Sequence, residues 1–138
     1  MALTTRPLKL ADLPVIEEIQ RLNPAASQWN TLDYLAYRTI VAEDESGIIA
    51  FLCAQLIPPD EVEILNLAVH PDHKRTGVAT HLLKTLTVPT QHIDVRQSNM
   101  TAIAFYRKHG FRKVGHRRKY YTRPTEDAIM MTRQLSRS

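Results

Sequence analysis

Residues 70–77 read His-Pro-Asp-His-Lys-Arg-Thr-Gly and carry the groups an anion-binding loop needs. An apolar stretch at 64–69, interrupted only by Asn66, precedes them and reads as a strand. A helical pattern over 77–86 follows, with Val78, His81, Leu82, Lys84, Thr85 and Leu86 spread around it. The first N–H groups of a helix have no internal partner and sit at the positive end of its dipole. A phosphate placed there satisfies both. Lys74 and Arg75 add charge, and Gly77 has no Cβ to block close approach. The chemistry this arrangement suits is the cradling of a phosphate. An ordinary solvated glycine turn has the same local composition, and the rest of the chain must decide between the two.

Other reactive side chains are few. Cys53 is the only cysteine, so no internal disulfide forms and a reducing compartment is expected. It lies within an apolar strand pattern, where a buried, inert thiol is expected rather than a nucleophile. The six histidines have no metal-ligand spacing, and His70 and His73 flank the turn without convergent partners, so no metal is expected.

The elements that would position the loop follow from turn and periodicity signals. A short strand is expected at 4–9. Asp12 can cap a helix over 13–22, with Pro14 tolerated in its first turn and Leu13, Ile16, Ile19 and Leu22 on one face. Asn23-Pro24 ends that helix, and residues 25–30 are loop-like, with the single Trp at Trp29. Thr31 can cap a short helix over 32–36. Strands at 38–43, 48–57 and 62–69 are separated by Asp44-Glu45-Ser46-Gly47 and Pro58-Pro59-Asp60, which predicts an antiparallel meander. Beyond the loop and its helix come a short strand at 92–95 and a helix over 100–109, with Ser98 or Asn99 as its N-cap and Gly110 at the C-terminal cap. Strands at 111–116 and 128–134 complete the chain, joined by a basic, tyrosine-bearing connection. This order predicts a mixed α/β sheet rather than a regular doubly wound one.

A length of 138 residues suits one domain, 1–138, able to bury a core. Hydrophobic content of 43% and charged content of 23% fit a soluble globular protein. The first residues lack the apolar core of a signal peptide, and the longest apolar stretch, 48–53, is too short to span a bilayer, so a cytoplasmic protein with no membrane partner is expected. The net charge of +4 is unevenly placed. Residues 1–69 hold 4 Lys/Arg and 10 Asp/Glu, whereas residues 70–138 hold 14 and 4. The basic half begins where the proposed phosphate loop begins, which suggests an anionic ligand or partner for it, or a solvated basic surface.

Two stretches together are specific. Lys74-Arg75-Thr76-Gly77-Val78-Ala79 resembles the acyl-CoA pyrophosphate motif of the GNAT acetyltransferase family, with Lys74 in place of the usual Gln or Arg. Asp94-Val95-Arg96-Gln97-Ser98-Asn99, followed by Ala102-Ile103-Ala104-Phe105-Tyr106 and Gly110-Phe111, resembles the second half of the same family. The motifs occur in family order. Glu63-Ile64-Leu65-Asn66-Leu67-Ala68-Val69, Arg117-Arg118-Lys119-Tyr120-Tyr121 and Glu126-Asp127-Ala128-Ile129-Met130-Met131 resemble the RimI type, the ribosomal-protein-alanine N-acetyltransferases. The resemblance covers residues 43–135. The first 40 residues match loosely, and the segment between Leu86 and His92 is shorter than usual.

The resemblance implies a GNAT fold, with a mixed, mostly antiparallel central sheet flanked by helices, and direct acetyl transfer from acetyl-CoA to an amine. It implies pyrophosphate contacts from the backbone N–H groups of Gly77, Val78, Ala79 and Thr80, with charge from Lys74 and Arg75 beside Thr76. Leu67, Ala68 and Val69 would pair with the pantetheine amides, and the Val69 N–H would polarise the thioester carbonyl. Asn99 would contact the cofactor, cap the helix, or do both. Tyr106 would be the general acid, since a phenol can protonate a thiolate held close to it, or else a packed aromatic at a helix end. Asp94 would be the base, directly or through a water, or else pair with Arg96. Glu63 is the reserve base. Tyr120 and Tyr121 would line the groove of a peptide substrate.

The acceptor implied is the N-terminal α-amine of a protein, as for a ribosomal protein, and not DNA. A small-molecule amine or a lysine side chain is the alternative. A third reading is a non-catalytic module for RNA or the ribosome surface. It rests on Arg107, Lys108, Arg112, Lys113, Arg117, Arg118 and Lys119.

Overall fold

The structure is a computed structural model that describes residues 2–122 and 124–135. Its strands are β1 (Thr4–Pro7), β2 (Arg38–Asp44), β3 (Gly47–Ile57), β4 (Glu61–Val69), β5 (Thr90–Arg96), β6 (Arg112–Thr122) and β7 (Thr125–Gln134). Its α-helices are α1 (Leu13–Arg21), α2 (Val78–Leu83) and α3 (Met100–Lys108). The hydrogen-bonded strand order is β1-β2-β3-β4-β5-β7-β6. Pairing is mostly antiparallel, and β4 and β5 pair in parallel. The expected mixed α/β architecture is therefore present. The chain divides into two compact units, Met1–Gln55 with Leu65–Thr87, and Leu56–Ile64 with Val88–Ser138.

In the first unit, β1 and β2 pair antiparallel from Thr4 opposite Glu43 to Pro7 opposite Ile40. The Asp44–Gly47 turn returns β2 into β3, with a register shift between Ala42 and Glu43. Ile16, Ile19, Tyr34, Val41, Phe51, Cys53 and Ala68 form the core. The apolar spacing of α1 thus meets the inner face of the strands, as its periodicity predicts. Asp12 stands at the N-cap but makes no side-chain cap. Its carboxylate instead accepts from the Lys9 N–H at 2.8 Å and from Arg6 at 2.8 and 3.0 Å. Arg6 also donates to Glu43 at 2.9 Å, so β1, β2 and the start of α1 share one ion network. The short helix expected at 32–36 is a 3-10 helix, Thr31–Ala36, and Asn30 rather than Thr31 caps it by accepting from the Leu32 N–H.

In the second unit, β5 and β7 pair antiparallel from Thr90 opposite Gln134 to Arg96 opposite Ala128. The start of β4 runs parallel to β5, and Ile64 opposite Ile93 is the last pair. Val62, Ile64, Ile93, Val95, Ile103, Tyr106, Phe111, Ala128, Ile129 and Met131 are buried. The basic, tyrosine-bearing segment expected as a connection is strand instead, because β6 continues to Thr122 opposite Thr125. A register shift between Arg117 and Tyr121 accommodates Lys119 at φ 52°.

Candidate active site

The basic loop lies in the first unit. After β4 the chain makes a single 3-10 turn, Pro71–His73, in which the His70 ring nitrogen accepts from the Asp72 N–H. Arg75 at φ 64° and Gly77 at φ 85° then turn the backbone into α2. Gly77 occupies the left-handed region at the N-cap, where a residue with a Cβ is strained, and a Cβ built there meets open space. The first helical bond runs from the His81 N–H to the Gly77 carbonyl at 2.9 Å. The N–H groups of Gly77, Val78 and Ala79 precede that bond, and Lys74, Arg75 and Thr76 are exposed beside them. These donors and cations fit a diphosphate. The helix is shorter than the expected 77–86. After Leu83 the chain tightens, with Thr85 and Leu86 donating to Leu82 and Leu83, three residues back.

The strand that feeds the loop alternates, with Asn66 and Ala68 buried and Leu65, Leu67 and Val69 half-buried. Asn66 interrupts the apolar run for a reason. Its amide donates to the Tyr34 hydroxyl at 2.8 Å and to the Ser27 carbonyl at 3.0 Å. The Tyr34 hydroxyl in turn donates to Gln20, whose amide holds the Trp29 carbonyl at 2.7 Å. The Trp29 ring stacks on Tyr34 with centroids 5.0 Å apart. The loop that resisted assignment from sequence is therefore tied to β4 through buried polar groups. The Val69 carbonyl accepts from the Asn23 amide at 3.0 Å, and the His70 N–H donates to Ile49 at 2.8 Å.

The carboxylates lie in the second unit. Strand alternation puts Glu61 and Glu63 of β4 and His92, Asp94 and Arg96 of β5 on one half-buried face, while Val62, Ile64, Ile93 and Val95 turn into the core. Glu63 stands opposite His92. Burial raises the Glu63 carboxyl above the usual carboxylate range, the neighbouring Asp94 charge adds to this, and Arg117 and His92 oppose it. His92 bridges Glu61, at 2.5 Å from Nε2, and Thr132, at 2.8 Å from Nδ1.

Asp94 does not pair with Arg96 as the simplest structural alternative supposed. Its partner is Arg117, Nε to Oδ2 at 3.3 Å, and Arg96 goes to Glu126 at 3.4 Å. The reason is geometric. Neighbours on one face of a strand point the same way, whereas Arg117 reaches across β7 where that strand carries the small, buried Ala128.

Tyr106 is 4% exposed on α3. Asn99 caps that helix by accepting from the Ala102 N–H at 3.2 Å. At the other end the Gly110 N–H donates to Arg107 and the Phe111 N–H to Tyr106, both at 3.0 Å, with Gly110 at φ 91°. This is a Schellman closure, in which the residue after the glycine packs on the last helical turn. Phe111 does so directly, edge-on to Tyr106 with centroids 5.1 Å apart. The Gly-Phe pair therefore serves to clamp the Tyr106 ring. Arg133 of β7 completes the clamp, with its guanidinium 5.0 Å from the Phe111 centroid and a 3.0 Å hydrogen bond to the His109 carbonyl. Burial pushes the Tyr106 phenol up, so it stays protonated at neutral pH.

The two tyrosines on β6 differ. Tyr121 is half-buried and donates to the Asp94 carbonyl at 3.2 Å, and Arg96 lies 4.2 Å over its ring. Burial pushes its phenol up to about 12. Tyr120 is exposed, with Arg117 at 5.6 Å from its centroid. Cys53 is buried in the other unit and its thiol is pushed up to about 11 by burial, which leaves it unreactive. Among the described residues no three His, Cys, Asp or Glu side chains gather as a metal set, and no helix is long and apolar enough to cross a membrane.

From sequence, Asn66 and His92 carry no assigned role, and Arg117 counts only among the basic residues of a nucleic-acid patch and in the RimI-like segment. Residue parity with Asp94 signals His92. Nothing local signals Arg117, because its contact crosses an intervening strand.

Residues 36–113 match the family described as acetyltransferase (GNAT) domain. The chain is 32% identical to the ribosomal protein bS18-alanine N-acetyltransferase of Escherichia coli K12, over 96% of this chain and 98% of that protein. The crystal structure of the Escherichia coli enzyme superposes with a TM-score of 0.83 at 31% identity, covering 99% of this chain and 96% of the other. A Mycobacterium tuberculosis N-alpha-acetyltransferase is 36% identical over 55% of this chain and 51% of its own length. The chain belongs to the GNAT acetyltransferase family as an acetyl-CoA-dependent N-acetyltransferase.

Proposed function

We propose that the protein acetylates the N-terminal α-amine of a protein substrate. The observation that carries this reading is the half-buried face bearing Glu63 and Asp94, with the Glu63 carboxyl raised by burial. An α-ammonium has a pKa near 7.7–8.0 and a lysine ammonium near 10.4. A carboxylate of raised proton affinity is better matched as a base to the first than to the second. The names of the relatives add support, since the Escherichia coli protein is a ribosomal protein bS18-alanine N-acetyltransferase and the Mycobacterium tuberculosis one an N-alpha-acetyltransferase. A ribosomal protein is accordingly the first substrate to try. Because the chain is an enzyme by family, the non-catalytic RNA-binding module falls away as an account of the whole chain.

Acetyl-CoA supplies the acetyl group as a reactive thioester. In this reading the backbone N–H groups of Gly77, Val78, Ala79 and Thr80 hold its diphosphate, with Lys74, Arg75 and Thr76 beside them. Leu67, Ala68 and Val69 offer backbone groups to its amide arm, and Asn99 assists while capping α3. A carboxylate of the Glu63–Asp94 pair would accept the first ammonium proton, and the Tyr106 hydroxyl would protonate the departing sulfur and be replenished by the second proton of the attacking nitrogen as the C–N bond forms and the C–S bond breaks. Tyr120 and Tyr121 flank the acceptor. The test is CoA release with peptides bearing a free N-terminus, Ala-initiated ones included, run against the same peptides pre-acetylated and a panel of polyamines and aminoglycosides. Turnover confined to the small amines refutes the proposal.

A further inference from the structure

Three carboxylates share one face, and Glu61 is taken up by His92; of the other two, only one has a cation laid against it. Asp94 is held by Arg117 at 3.3 Å, with 17% of its side chain exposed. Among the described residues Glu63 makes no salt bridge, and it stands opposite His92, whose ring is already engaged by Glu61 and Thr132. Asp94 is fastened from its main chain too, since its carbonyl accepts from Tyr121 on the same strand as Arg117. Arg117 in turn lies toward the exposed Tyr120 ring. The groups that face Glu63 are thus Glu61 on its own strand, His92 and Asp94 on β5, and Arg117 from β6.

We infer that Arg117 is a positioning residue that divides the labour of the pair: it clamps Asp94 as a fixed anion and leaves Glu63 to accept the proton of the incoming ammonium. A carboxylate oxygen laid against a guanidinium is directed to that cation rather than to an incoming ammonium. A carboxylate one strand away, raised by burial and by the fixed anion beside it, is the better proton acceptor. Arg117 also limits how far Glu63 rises, because its charge favours the ionised carboxylate. The inference rests on the amine-acetylating reading of this face, and its test has an arm that needs no substrate.

That arm follows the Glu63 carboxyl carbon by NMR as pH is varied. In Arg117→Gln the midpoint moves to higher pH, since a cation favouring the charged form is gone, and Arg117→Lys restores most of the shift. No movement, or none restored by Lys, overturns the inference whatever the substrate proves to be. The second arm is the pH profile of kcat/KM with whichever amine the unaltered protein acetylates. Arg117→Gln loses about threefold or more at pH 6 and regains most of it by pH 9, while the KM for acetyl-CoA stays put. A loss of equal size at every pH marks a merely structural role and refutes the assignment. An acid limb that disappears in Asp94→Asn and persists in Glu63→Gln reverses the two carboxylates and refutes it as well.

Discussion

Gly77 offers the sharpest separation of backbone strain from ligand electrostatics. It sits at φ 85° and ψ 4°, and a Cβ there meets nothing within 4 Å. Gly77→Ala therefore introduces no clash, only the left-handed penalty of about 1–2 kcal/mol. Gly77→Glu carries the same penalty and adds a carboxylate. At about 5 Å from a phosphate charge and an effective dielectric near 20, that carboxylate costs about 3 kcal/mol. Each 1.4 kcal/mol is about tenfold in affinity, so Gly77→Glu weakens acetyl-CoA by about 100-fold beyond Gly77→Ala. Titration calorimetry with acetyl-CoA measures the two affinities, and thermal unfolding shows both variants lowered by the same few degrees. Equal affinities for the two variants refute the diphosphate assignment of this loop. Salt distinguishes the terms further, since the Glu-specific loss shrinks as ionic strength rises and the strain does not.

Tyr106→Phe keeps the ring clamped by Phe111 and removes only the hydroxyl, so turnover falls by about 10²-fold or more while acetyl-CoA binding is retained; unchanged steady-state turnover removes Tyr106 from the chemistry. Glu63→Gln abolishes the acid limb of the kcat/KM profile, whereas Asp94→Asn lowers turnover and leaves a limb in place. Stability on acidification reports the Arg6 network. Arg6 holds the Asp12 carboxyl below its ordinary range, so the stabilisation is full above that range and is lost as pH falls through the folded-state value. Arg6→Ala costs about 3 kcal/mol at neutral pH, since it strands a carboxylate whose side chain is 10% exposed, and it flattens the acid dependence in denaturant titrations.

Elements marked by local chemistry were legible in the sequence. Asp44–Gly47, Pro58-Pro59-Asp60, Asn99 and Gly110 each impose a turn or a cap through their own side chain or backbone freedom, and the strands and α3 fall between them. Where two neighbours can do the same task the sequence is silent, which is why Asn30 and not Thr31 caps the 3-10 helix. The length of β6 was hidden for a different reason. It ends the strand order and is exposed along nearly all its length, so no alternation of apolar residues betrays it. The candidate site divides the same way. The Gly77 loop and the Tyr106–Gly110–Phe111 closure are contiguous motifs, and their physical sense can be read in one dimension. The Asp94–Arg117 pair joins residues across β7, and Asn66 answers to groups in residues 27 and 34, so only the folded chain brings these together.

The amine that receives the acetyl group defines what this enzyme does. A peptide with a free N-terminal alanine and an internal lysine, incubated with the protein and acetyl-CoA and sequenced by tandem mass spectrometry, places the added mass directly. Acetyl on the alanine nitrogen, with the lysine unmodified, is the predicted result. Acetyl on the lysine, or on neither while a small amine is consumed, contradicts it.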